Sequence, residues 1–170
     1  MLMPIADTLL PEFDHEMAGT RRMLEAVPAA DAAWKPHPKS SPLGDLAAHI
    51  ATLPLWGRLT LERTELDLGI PANAALAGAP FTTTPELVER FDRNVRDARA
   101  ALAAATDADM AVTWTLKNAG TTILSMPRAA VLRGFVLSHM IHHRAQLSVY
   151  LRLRDVPLPS LYGPTADTRR

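Results

Sequence analysis

Four stretches of the chain repeat apolar residues at the spacing of a helix. The first runs from about Met3 to Val27 and carries Ile5, Leu9, Phe13, Met17 and Leu24 at intervals of four or seven, which lines them on one stripe. Pro11 falls within it and is expected to start the helix late or to kink it, because its ring lacks the amide hydrogen and crowds the preceding turn. The second opens with Ser41 as a cap, Pro42 in the first turn and Asp45 at the positive end of the helix dipole. Its stripe reads Leu46, His49, Ile50, Leu53 and Gly57, and Pro54 predicts a kink about one turn beyond His49. Thr84-Pro85-Glu86 begins the third, whose inner face is Leu87, Phe91, Val95, Ala98 and Leu102. Pro127 begins the fourth, which should reach about Arg154 before Val156-Pro157-Leu158-Pro159 ends it.

The segments between these stripes behave differently. Pro28 to Pro42 includes Trp34-Lys35-Pro36-His37-Pro38, which cannot be regular helix. The connection from about Asp67 to Thr83 is long, so simple up-and-down packing with tight loops does not follow from the pattern. From Asp107 to Met126 the apolar residues Val112, Trp114 and Leu116 alternate with polar ones, and Lys117-Asn118-Ala119-Gly120 resembles a turn. Either a short hairpin or a long loop fits. Four long amphipathic helices in 170 residues predict an all-α, four-helix bundle forming one domain over the whole chain.

Composition narrows the chemistry. Cysteine is absent, which excludes disulfides, thiolate metal sites and a cysteine nucleophile, so any thiol chemistry must use a thiol from outside. The 18 basic and 18 acidic residues cancel, leaving no basic surplus to neutralise nucleic-acid phosphates. Met1 to Leu10 has no basic start and includes Asp7, unlike a signal peptide, and no apolar run is long enough to cross a bilayer. The expectation is a cytoplasmic protein with neither nucleic acid nor membrane as partner.

The candidate chemistry lies in the histidines. His139 and His143 are four apart on the fourth helix, so their imidazoles differ by about 40° in azimuth and stack one turn apart. Leu132, Phe135, Val136, Leu147 and Tyr150 occupy the neighbouring face, which turns the pair inward. His49 adds a third imidazole from the stripe of the second helix. Taken singly, each is most simply a neutral core histidine satisfied by a neighbour. Three on bundle-facing stripes point instead to a metal, since imidazole nitrogens suit Zn, Ni, Cu or Fe and three ligands leave a position open. His142, about 60° from His139, could replace one of them. Asp45, one turn before His49, could orient that imidazole or relay a proton, or act only on the helix dipole. Gln146 follows His143 by three residues and could contact the site, whereas Arg144 reads as a surface or dimer-contact residue. His15 and His37 read as exposed.

The combination of Leu46-Ala47-Ala48-His49-Ile50-Ala51 with His139-Met140-Ile141-His142-His143-Arg144-Ala145-Gln146-Leu147, and the Trp34-Lys35-Pro36 connection, resembles the DinB-like superfamily of helical bundles. With it are grouped the YfiT-type thiol transferases and mycothiol-dependent maleylpyruvate isomerases. The most specific element is the run from His142 to Gln146, in which Ala145 stands where the family often has Gly. The resemblance implies an up-up-down-down-type bundle, commonly dimeric, with metal ligands at His49, His139 and His143. It implies a divalent transition metal (Zn or Ni, with Fe also suited) and a low-molecular-weight thiol as co-substrate with a small-molecule substrate. Three functions follow from these readings. One is a metal-dependent, thiol-using S-transferase or a relative that activates water. Another is a non-catalytic metal- or ligand-binding stress-response bundle. The last is a metal-free interaction protein using Trp56, Trp114 and Met126.

Overall fold

A computed structural model describes residues 3–168. Its helices are α1 (Ile5–Glu25), α2 (Leu43–Glu62), α3 (Thr84–Ala104), the short α4 (Asp107–Ala111), and a last helix in three parts. That last helix starts as α5 (Arg128–Ala130), widens into π-helical turns over Val131–Ser138, and continues as α6 (His139–Leu153). The residues at both junctions keep right-handed helical dihedrals, so the three parts form one rod. Each of α1 and α2 packs against α3 and against α6, which sets α1 and α2 across a diagonal of the bundle.

The all-α expectation is corrected by a small sheet. Strands β2 (Thr113–Asn118) and β3 (Thr121–Pro127) form the hairpin, and β1 (Glu65–Asp67) adds to β2 in parallel, in the order β1-β2-β3. Alternation in β2 buries Trp114 and Leu116, and β1 buries Leu66, so one face of the sheet extends the helical core. The hairpin turn places Ala119 at φ 49° and Gly120 at φ 80°, and Asp67 accepts amide hydrogens from Gly69, Ala119 and Gly120. A three-residue strand carries too little pattern to be seen in sequence; its partner lies about fifty positions away in the chain.

Helix boundaries differ in detail. Neither Pro11 nor Pro54 ends its helix. Pro42 stands at the N-cap of α2 and Ser41 makes no capping bond, while Thr83, not Thr84, caps α3 by accepting from the Glu86 amide. Thr84 instead donates its hydroxyl to the Val27 carbonyl, tying α3 to the end of α1. The core joins Phe13 and Met17 of α1, Ile50 and Leu53 of α2, Leu87 and Phe91 of α3, and Met140 and Leu147 of α6. Among the described residues, no helix is long and apolar enough to cross a membrane.

Candidate metal centre

His49 on α2 and His139 and His143 on α6 meet where these two helices pack, each half-buried. One ring nitrogen from each lies within 4.8 Å of the others. The Nε2 atoms of His139 and His143 are 2.8 Å apart, and those of His49 and His139 are 3.4 Å apart.

The hydrogen bonds behind these rings decide what the nitrogens can do. His139 Nδ1–H donates to the Phe135 carbonyl at 3.2 Å, and His143 Nδ1–H donates to Oε1 of Gln146 at 2.7 Å. A carbonyl oxygen can only accept, so in each neutral ring the single hydrogen is on Nδ1 and the lone pair is on Nε2. Two lone pairs 2.8 Å apart repel unless a cation lies between them. A proton there is disfavoured on the His139 side, because burial, followed by the His143 charge, lowers the pKa of His139 below the usual imidazole range. Burial, followed by the His143 and His139 charges, lowers the pKa of His49 to about 4, which disfavours a proton on the third ring as well. A divalent metal meets the need: nitrogens about 2.0–2.1 Å from one ion at tetrahedral angles stand roughly 3.3 Å from each other. The donor set fits a transition metal, and His49, His139 and His143 would hold it.

The surroundings are asymmetric. Phe135 packs against His139 with its ring tilted and the centroids 5.4 Å apart, and Trp56 backs Phe135 at 5.6 Å. Beside His49 lies a shallow cavity of about 260 Å³ lined by Asp45, Ala48 and the loop Gly78-Ala79-Pro80. Arg90 of α3 holds that loop by donating to the Ala79 carbonyl at 2.7 Å. Gly78 has φ +99°, and a Cβ there would stand 2.3 Å from the Thr52 hydroxyl, so the loop's approach to α2 requires glycine.

The three imidazoles are brought together, and Gln146 touches His143. Asp45 is exposed and no hydrogen bond joins it to His49, although both line the cavity. His142 is exposed and its ring neighbours that of His143, with centroids 5.0 Å apart. His15 and His37 are exposed. Arg144 is a correction: it is 2% exposed and faces α1, not solvent or a second subunit. Sequence reading also missed the Phe135 carbonyl and the π-helical turns that lead into His139. Such turns concentrate at functional sites, but no residue type announces them. A signal for the Arg144 partner did exist, since Glu16 stands on the buried stripe between Phe13 and Thr20.

The family model of the DinB superfamily matches residues 12–147. A DinB-like protein from Bacillus cereus ATCC 10987 superposes with TM-score 0.69 at 21% identity, covering 95% of this chain and 100% of the other. A DinB-like protein from Bacillus subtilis does so with TM-score 0.68 at 19% identity, covering 92% and 99%. At these identities the likeness speaks for the fold alone. No curated protein matches the chain. With the family profile covering most of the chain and all three histidines, this chain belongs to the DinB superfamily.

Proposed function

We propose that the chain is a metal-dependent enzyme that joins a low-molecular-weight thiol to a small-molecule electrophile, or a close relative that activates water. The observation that carries this reading is the convergence of three imidazoles whose Nδ1 hydrogens, in His139 and His143, are already engaged elsewhere. Zn or Ni is the expected ion, and Fe suits the same donors. When bound, such an ion supplies Lewis acidity that lowers the pKa of a thiol or water brought to it.

The chain's own residues do the rest. Gln146 and the Phe135 carbonyl hold two of the rings in one tautomer and one orientation. Three protein nitrogens leave a position for the co-substrate, and the lack of cysteine means that the sulfur comes with that molecule. The cavity beside His49 gives the electrophile a place, and Asp45 on its wall can take the proton released from the thiol. We read the working form as a cytoplasmic homodimer.

The test is elemental analysis of tag-free protein beside His139→Ala and His49→Ala, at matched circular dichroism. Near-stoichiometric Zn, Ni or Fe in the wild type, lost from both variants, is the expected result. Thiol-dependent turnover of an electrophile should disappear with the metal. Wild-type protein that takes up no metal after reconstitution overturns the reading. Metal binding with no turnover across a panel of thiols and electrophiles favours a non-catalytic metal-binding bundle.

A further inference from the structure

Glu16 and Arg144 form a buried ion pair between α1 and α6, with side chains 7% and 3% exposed and Nη2 to Oε2 at 2.6 Å. Arg144 Nη1 also donates to the Glu16 carbonyl at 3.0 Å and to the Thr20 hydroxyl at 3.1 Å. Its second terminal nitrogen donates to the Tyr162 hydroxyl, which in turn donates to Glu16 Oε1 and Oε2 at 2.9 and 2.8 Å. Tyr162 comes from the chain beyond α6, and its ring lies over the guanidinium at 5.3 Å from the centroid. Gly19 is part of this fit, because a Cβ there would stand 3.2 Å from Arg144 Nη1.

The position of the pair on the helix is what needs explaining. The buried ridge of α6 is Met140, Arg144, Leu147 and Leu151, so the arginine occupies a place where leucine would pack. A buried ion pair is a poor source of stability, because desolvation offsets the attraction, and apolar side chains of similar volume often do as well or better. Its attested use is to fix register or orientation. Orientation is at stake here. The π-helical turns of Val131–Ser138 break the α-helical phase just before His139, so the upstream apolar stripe does not dictate the rotation of α6. Arg144 follows His143 directly, and its four hydrogen bonds to α1 and Tyr162 lock α6 about its own axis. Any rotation that frees Arg144 carries the Nε2 atoms of His139 and His143 away from His49.

We propose that the Glu16–Arg144 pair, closed by Tyr162, positions the histidines: it sets the rotation of α6 and so aims His139 and His143 at the point they share with His49. The inference rests on the reading that these three residues bind a metal. Arg144 and Tyr162 are positioning residues, since neither touches the metal point.

Co(II) binding tests this, followed by titration and by the visible absorption that reports coordination geometry. The variants are Glu16→Leu/Arg144→Met, which replaces both charges by apolar side chains, and Tyr162→Phe, which removes only the hydroxyl. The double variant should bind Co(II) roughly 10–100-fold more weakly with an altered spectrum, as loss of groups that orient ligands does elsewhere, while the metal-free protein melts near the wild-type temperature. Tyr162→Phe should weaken binding by a smaller factor at an unchanged melting temperature. Its ring is exposed, so this variant keeps the test decisive if the double variant fails to fold. Wild-type affinity and spectrum in the folded variants overturn the positioning role and leave the metal site standing. Wild-type protein that binds no Co(II) overturns the metal reading and the positioning role with it.

Discussion

His143 and Arg144 are neighbours in the chain and project from one turn of α6 into two polar environments of opposite kinds. Toward α1, Arg144 meets Glu16, Thr20 and Tyr162, and every terminal N–H has an acceptor. Toward α2, His143 and His139 are satisfied only at Nδ1, and their Nε2 lone pairs face each other and His49. One cluster is complete within the protein; the other is complete only with something added. A buried polar group that lacks a partner costs free energy. The closed cluster therefore reads as structure and the open one as a binding site, although both are built from ionisable residues on the same helix.

The sharpest way to break this contrast is to open the closed side. Glu16→Ala leaves Arg144 as a buried cation without its carboxylate, and urea denaturation should show a loss of about 3–5 kcal/mol. A loss well under 1 kcal/mol would mean that water reaches Arg144 and that the cluster is not closed. On the open side, Gln146→Ala should weaken Zn binding by roughly 10–100-fold through misorientation of His143, as measured by competition with a chelator. Because Gln146 is exposed, the melting temperature of the metal-free protein should hardly move.

The pH dependence sharpens the same comparison with a smaller effect. His49 titrates at about 4 in the folded chain, against about 6.5 when unfolded. Its contribution is fully present above pH 6.5, because both states are then neutral there. Below that the unfolded chain takes up the proton first, so metal-free stability falls as pH drops from 6.5 through 4. His139 shifts in the same direction. The slope from His49 should stay below the ~1.4 kcal/mol per pH unit of one whole proton, since the ring is only half-buried. Thermal melts of wild type and His49→Gln across this range check it, and an unchanged slope in the variant would show that His49 is not the group responsible. Smallest of all is Asp45→Asn. An exposed side chain with no bond to His49 should change stability by about 0.5 kcal/mol or less and leave metal affinity alone, while turnover falls if Asp45 takes the thiol proton. A drop in metal affinity would show that Asp45 orients His49 after all.

Much of this was legible in the sequence where the signal is local. Helical spacing located α1, α2, α3 and the last helix, and the i, i+4 pair with His49 located the three imidazoles. Alternation around Trp114 was enough to raise a hairpin but not to separate it from a loop, because strand pairing is a non-local event. Arg144 was misread because adjacent helical positions differ by about 100°, and the choice between surface and core depended on a partner on α1. Tyr162 lies in a proline-containing tail with no periodicity, so nothing in its own neighbourhood points to Glu16.

By itself, the sequence determined the four helical stripes, the exclusion of cysteine chemistry, and which three imidazoles can share one point. These depend on residue type and on spacing along a helix, both of which are written in the chain. The tertiary structure decided which tautomer His139 and His143 adopt, that β1 joins the hairpin, and that a buried charge pair sits next to His143 on the other side of α6. Those depend on which groups from distant parts of the chain lie within hydrogen-bonding reach. A hydrogen bond acts over about 3 Å of space and carries no mark in the order of residues.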